Sequence, residues 1–243
     1  MMRKINRVNK SAGLNVISPK ISGFLAIDKP AGITSFDVIK KLRKLTGIKH
    51  IGHGGALDPF ATGVLIVAIG RPATRHLKKF LSGDKIYLAK IKLGAVSDTF
   101  DRDGKIKEVS TEQVAIGKIK KIIKRFVGEI EQVPPIFSAL KIRGKPAYKY
   151  ARASVKITLA PRKIIILSIK ILAYEWPFLT ISVKCGKGTY IRSLANDIGI
   201  ALGCGGYLTE LRRENVCGID IQDSVPLDAI KSISDIEKFL ITA

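Results

Sequence analysis

Two periods of hydrophobic positions run through this chain. Gly23-Phe24-Leu25-Ala26-Ile27 predicts a strand, closed by the turn Asp28-Lys29-Pro30-Ala31-Gly32 with Lys29 at its tip. A helix is expected next: Thr34 or Ser35 can cap it, Phe36, Ile39, Leu42 and Leu45 recur at helical spacing, and Gly47 can end it. Val64 to Ile69 is a continuous apolar run of strand length, which predicts a buried strand. A short helix is expected over 74–81. Strict alternation over Lys85 to Leu93 then puts Lys85, Tyr87, Ala89, Ile91 and Leu93 on one face of a strand. Ser110-Thr111-Glu112-Gln113 offers a capping box for a helix running to about Val127, with Val114, Ile119, Ile122, Ile123 and Phe126 inward. Strands are expected over 164–173, 179–185 and 207–213, and a helix with Ile191, Leu194, Ile198 and Ala201 inward is closed by Gly203. Strands and helices mix without regular βαβ alternation, so the expected class is α+β, with a central mixed, largely antiparallel sheet flanked by helices.

The stretch between the first helix and the apolar strand is the least generic part of the chain. Ile51 to Leu65 holds four glycines, His53, and one carboxylate, Asp58, among small and apolar residues. Pro59 fixes its own φ and biases Asp58 toward an extended conformation, so the carboxylate is held rather than mobile. An Asp before Pro also reads as an ordinary turn or cap residue, and the lysine and Ser/Thr ending of a nucleotide P-loop is missing. The stretch alone leaves those readings open.

Composition narrows the partners. The 243 residues are 46% hydrophobic with mean hydropathy +0.17, enough for a sizeable core. Forty-two Lys+Arg against 20 Asp+Glu give a net charge of +22, which points to a polyanion, with nucleic acid ahead of a membrane surface because no basic amphipathic helix with bulky anchors stands out. Cys185, Cys204 and Cys217 are odd in number and form no CxxC pair, which suits a reducing cytoplasm and suggests neither a disulfide framework nor a zinc ribbon. Residues 1–22 carry five cations and no acid and read as a basic, mobile extension. From Val133 to Ala160, Pro134-Pro135, Gly144, Tyr148, Tyr150 and Arg152 lie among lysines, a mixture in which rings can stack on unpaired bases while cations meet phosphates.

Five motifs then occur in order: Asp28-Lys29-Pro30-Ala31-Gly32-Ile33-Thr34-Ser35, Gly52-His53-Gly54-Gly55-Ala56-Leu57-Asp58-Pro59, Lys85-Ile86-Tyr87, Gln132-Val133-Pro134-Pro135-Ile136-Phe137-Ser138-Ala139 and Lys187-Gly188-Thr189-Tyr190-Ile191-Arg192. Together they resemble the bacterial TruB-type tRNA pseudouridine-55 synthases over roughly residues 23–213. The resemblance implies isomerisation of uridine 55 in the tRNA T-loop to pseudouridine, by base flipping and an aspartate-dependent cleavage and re-formation of the glycosidic bond, with neither cofactor nor metal. It implies that Asp58 is the essential acid, that Arg192 pairs with it, and that Tyr87 stacks on the base and takes the C5 proton. It further implies that His53 fills the space of the flipped nucleotides, that Tyr190 and Leu211 line the uracil pocket, and that Lys29 supports the site from the first turn. The expected partner is the tRNA T-arm, with no membrane and no protein partner, the chain acting as a cytoplasmic monomer.

The resemblance divides the chain into the extension 1–22, a catalytic domain 23–213 with an RNA-gripping insertion at 133–160, and a short segment 214–243 without a full PUA module. One residue departs from the pattern: Gly54 stands where many members have threonine. Two other classes compete with the synthase reading. An RNA binder without catalysis would have no need of Asp58, Tyr87 and Arg192 together, and a guide-RNA-dependent synthase would be expected to carry a PUA domain.

Overall fold

The computed structural model describes residues 21–241 except 139, 143, 154 and 156, so the expected basic extension lies almost wholly outside the described residues. In chain order the first half contains β1 (Gly23–Lys29), α1 (Ser35–Thr46), β2 (Ile51–His53), β3 (Thr62–Ile69), α2 (Gly70–Thr74), α3 (Leu77–Ser82), β4 (Lys85–Leu93), β5 (Ala95–Ser97) and β6 (Ile106–Glu108). There follow α4 (Ile116–Lys124), β7 (Gly128–Gln132), β8 (Lys141–Ile142), β9 (Lys145–Pro146), α5 (Ala147–Arg152), β10 (Arg162–Glu175) and β11 (Phe178–Cys185). The last part is α6 (Ile191–Leu202), β12 (Gly206–Val216), β13 (Ile219–Asp220), β14 (Val225–Pro226) and α7 (Ile233–Phe239).

The described residues form a ten-stranded sheet in the order β14-β1-β3-β12-β4-β11-β10-β7, with β2 added to β3 and β13 to β12. Only β1–β14 and β3–β12 pair in parallel; the other pairs are antiparallel. The class is therefore α+β, as the element pattern predicts.

Burial explains why the two halves of the sheet read differently in sequence. One face of β1 and β3 packs Leu25, Ile27, Leu65, Val67 and Ile69 against Val38, Ile39 and Leu42 of α1 and against Val225, Leu227 and Ile236. Their other face packs Phe24, Ala26, Val64, Ile66 and Ala68 against Ala73, Phe80 and Val216. A strand covered on both sides must be apolar throughout, hence the unbroken run at 64–69. In β4 only one face is covered: Lys85, Tyr87, Ala89, Ile91 and Leu93 are buried and the residues between them half-buried, as the alternation predicts.

Three local expectations fail for identifiable reasons. Phe36 does not point inward; it is 51% exposed. The Thr34 side chain caps α1 by accepting from the Asp37 N–H, and this phase buries Ser35, Val38, Ile39, Leu42 and Thr46 instead. The Ser110 capping box is not used, because Ser110 Oγ closes a turn to the Glu112 N–H and α4 begins only at Ile116, with no side-chain cap. The expected helix over 74–81 is split into α2 and α3.

Candidate active site

The Asp58 loop joins β2 to β3 and is held at nearly every residue. Ser35 Oγ, fixed in the first turn of α1, accepts from the Leu57 N–H at 2.8 Å and lies 3.2 Å from the Leu57 carbonyl. The Gly32 N–H donates to the Pro59 carbonyl at 2.9 Å, and Ala61 N–H to that of Asp58 at 3.1 Å. Arg213, from β12, donates to the carbonyls of Gly55 (3.0 Å), Ala56 (3.4 Å) and Val64 (2.7 Å). Hydrogen bonds on both flanks leave the loop little freedom, so the stiffness expected from Pro59 is reinforced by tertiary contacts.

Lys29 takes a different place from the other sequence-predicted site residues. It is fully buried, and its ammonium donates to the carbonyls of Pro30, Ile33 and Pro59 at 2.7, 2.8 and 3.3 Å. It is not among the residues that line the cavity and braces the Asp58 loop from beneath. The cause is the tight turn after β1, which folds the carbonyls of Pro30 and Ile33 around the side chain, with the Asp58 loop adding that of Pro59. Burial lowers its pKa to about 8, with the Asp58 charge working in the opposite direction.

The remaining candidates meet around one cavity of about 930 Å³: His53, Asp58, Tyr87, Tyr190, Arg192 and Leu211 all line it. Arg192, near the start of α6, reaches Asp58 with two nitrogens: Nε lies 2.9 Å from Oδ2, and Nη2 donates to Oδ1 at 3.0 Å. The same guanidinium donates to the carbonyls of Thr99 and Phe137, and Nη1 lies 3.2 Å from a second carboxylate, Asp101. One cation thus bridges two acids. The Asp101 side chain is only 7% exposed, and Thr99 Oγ1 and the Asp103 N–H donate to it at 2.6 and 3.1 Å.

Burial raises the Asp58 pKa above its ordinary value, and the Arg192 charge opposes that rise. Tyr87, opposite Arg213 on the neighbouring strand, is likewise raised by burial, with Arg213 opposing. His53 is lowered, first by burial and then by Arg213, which favours the neutral ring at physiological pH; its buried Nδ1 has no hydrogen-bond partner among the described residues. Tyr190 is held by the Gln132 amide, which accepts from its N–H at 2.8 Å and donates to its carbonyl at 3.1 Å. The excursion after β7 is tied to α6 through Ser193 Oγ, which donates to the Val133 carbonyl at 2.7 Å.

Asp101 and Arg213 are members of the site that sequence reasoning does not identify. Gly54, the departure noted above, is accounted for by packing: a Cβ there would lie 2.7 Å from Cβ of Phe80. Gly54→Thr is therefore expected to destabilise the fold by about 1–3 kcal/mol through overpacking, read as a lowered thermal midpoint, with Phe80→Ala relieving part of the loss. A Gly54→Thr protein as stable as wild type would contradict this. Among the described residues, no group of His, Cys, Asp and Glu is placed to hold a metal ion, and no helix is long and apolar enough to cross a membrane.

Comparison with known proteins places the chain. The family model described as TruB family pseudouridylate synthase, N-terminal domain, matches residues 43–191, and that of the tRNA pseudouridylate synthase B C-terminal domain matches residues 192–238. A tRNA pseudouridine synthase B of Endomicrobium trichonymphae is 43% identical over 91% of this chain and 96% of that protein. Its counterpart in Chlamydia felis is 49% identical over 79% of this chain and 81% of that protein. Among solved structures, a chain of a Cbf5–Nop10–Gar1 complex aligns with a TM-score of 0.67 and 32% identity, over 86% of this chain and 53% of that one. A chain of an H/ACA ribonucleoprotein bound to a substrate RNA aligns with a TM-score of 0.64 and 30% identity, over 86% of this chain. This chain spans about half the length of those solved chains, 53% and 52%.

Proposed function

The chain belongs to the TruB family of pseudouridylate synthases, and from that premise we propose that it isomerises uridine 55 in the T-loop of tRNA to pseudouridine. The observation that carries the reading is the Asp58 carboxylate, fixed at the wall of a cavity roomy enough to admit a nucleoside and paired to the buried Arg192 guanidinium at 2.9 and 3.0 Å. A uridine stacked in an RNA loop must be turned out of the stack to enter such a cavity. In this reading His53 takes the vacated space, while Tyr190 and Leu211 hold the uracil. Asp58 acts at the ribose, the N1–C1′ bond breaks, the uracil turns, and C5 joins C1′. The C5 proton leaves to Tyr87 and N1 gains a proton, so no atom is added or lost. The +22 net charge supports a polyanionic substrate, and the excursion 133–160, tied to the site through Phe137 and Ser193, is read as the part that grips RNA. Residues 23–213 would form the catalytic unit, acting as a monomer without a protein partner.

The test is carbodiimide or mass-spectrometric mapping of a tRNA transcript incubated with the purified protein alone. Pseudouridine at position 55 is the expected result; none anywhere would overturn the reading. Likeness to chains from H/ACA complexes favours one other reading, a synthase that needs a guide RNA, and modification of free tRNA without a guide excludes it. Tyr87→Phe is expected to abolish tritium release from C5-tritiated uridine while RNA affinity stays within about tenfold, ~1.4 kcal/mol. Release at the wild-type rate would remove Tyr87 from the proton transfer.

A further inference from the structure

A second buried guanidinium flanks the Asp58 loop, and the reaction scheme above gives it no task. Arg213 is 1% exposed. It donates to the carbonyls of Gly55, Ala56 and Val64, and no carboxylate pairs with it among the described residues. Burying a cation against carbonyl dipoles alone is costly, so its retention calls for a counter-charge that arises elsewhere. What it faces is Tyr87: the two residues are register partners on β12 and β4, the Arg213 Cζ lies 6.0 Å from the Tyr87 ring centroid, and both line the cavity. The backbone is fixed as tightly as the side chain. Gly63 leaves the catalytic loop at φ +102° against the backbone of Arg213, where any Cβ would collide with its N and O atoms.

We propose that Arg213 is a positioning residue for this reaction: it locks the Asp58 loop to the strand that carries Tyr87, and it supplies the cation facing the Tyr87 oxygen while that oxygen bears negative charge. The inference rests on the isomerase reading. In the step concerned, Tyr87 has released its own proton to water. The C5–H bond of the newly joined base breaks, its electron pair returns to the ring, and the proton passes to the Tyr87 oxygen; N1 takes one proton from water, so the sum is an isomerisation. Tyr87 faces Arg213 from β12, Cys185 from β11 and Asp58 from the loop. Lys85, on its own strand, turns its ammonium to the carbonyls of Leu81 and Gly83, and Arg192 is engaged by Asp58 and Asp101. Burial works against a phenolate here, and Arg213 is the cation that works for it.

Two variants separate charge from clamp: Arg213→Gln, and Arg213→citrulline, which keeps the shape and most donors of arginine without its charge. Tritium release from a T-loop transcript would be followed from neutral to strongly alkaline pH, with thermal melts as the check on folding. For both, kcat at neutral pH is expected to fall by about 10²-fold with KM within about threefold, on the scale of losing one preorganised electrostatic group, and the rise of kcat with pH is expected to move to higher pH. If the glutamine variant fails to fold, the citrulline variant decides. A folded citrulline variant with wild-type kcat, or with a loss equal at every pH, overturns the proposal and leaves Arg213 a structural clamp. Wild-type protein that releases no tritium would instead overturn the isomerase reading, and this inference with it.

Discussion

Asp58→Asn is expected to abolish turnover, by at least about 10⁴-fold, the scale on which single essential groups fail. Binding of tRNA is expected to stay within about tenfold, ~1.4 kcal/mol. The asymmetry follows from geometry. Asparagine keeps the size of the side chain, and the loop is held by Ser35, Gly32, Arg213 and Lys29 through its backbone, not through the carboxylate. Arg192 keeps its contacts with Asp101 and the carbonyls of Thr99 and Phe137, so the cavity wall stays in place. What disappears is the negative oxygen that the proposed reaction needs at the ribose. Single-turnover tritium release measures the first effect and filter binding the second; retained turnover would refute the assignment of Asp58.

Arg192→Gln is expected to lower turnover by about 10³-fold and to move its acid limb to higher pH. In the proposed reaction only the ionised carboxylate acts at the ribose, so activity is expected above the Asp58 pKa and is lost as pH falls through it. Burial has already raised that value, and the Arg192 charge is the main force holding it down. Without the cation the value rises further and the loss begins at a higher pH. Arg192→Lys is expected to restore the limb's position but little of the rate, because a point charge cannot reach Asp58 with two nitrogens while also meeting Asp101 and two carbonyls. An unchanged limb in the glutamine variant would show that the cation does not govern the ionisation of Asp58.

Most of the sheet was legible because burial left its period in the sequence: two covered faces at β3, one at β4. The helix starts were less so. Phe36 fits a helical stripe as well as Val38 does, and only the cap at Thr34 fixes the phase that turns it outward. At the site, the motifs carry Asp58, Tyr87 and Arg192, but contacts across the fold add Asp101 and Arg213. Arg213 had a signal: it lies two residues after Leu211, so in a regular strand the two share a face. Asp101 had none, since nothing local separates it from Asp98 and Asp103 in the same loop. Lys29, expected to support the site from the first turn, does so through backbone carbonyls that no local pattern announces.

The order of strands in the sheet also sets when this protein can fold. β3 lies between β1 and β12, and β1 takes its outer neighbour, β14, from residues 225–226. During synthesis the Asp58 loop emerges early, yet Arg213 and the strand beside it arrive some 150 positions later, the separation of the Arg213–Val64 bond being 149. β2, made before β3, already covers the apolar end of that edge, pairing Ile51, Gly52 and His53 with Ile69, Ala68 and Val67, so what waits for β12 is the other end, Thr62 and Gly63, where the Asp58 loop joins the strand. The nascent protein can therefore bury most of β3 between β1 and β2 early, while the Asp58 loop stays unlatched until β12 brings Arg212 and Arg213 to Thr62 and Gly63 late in synthesis.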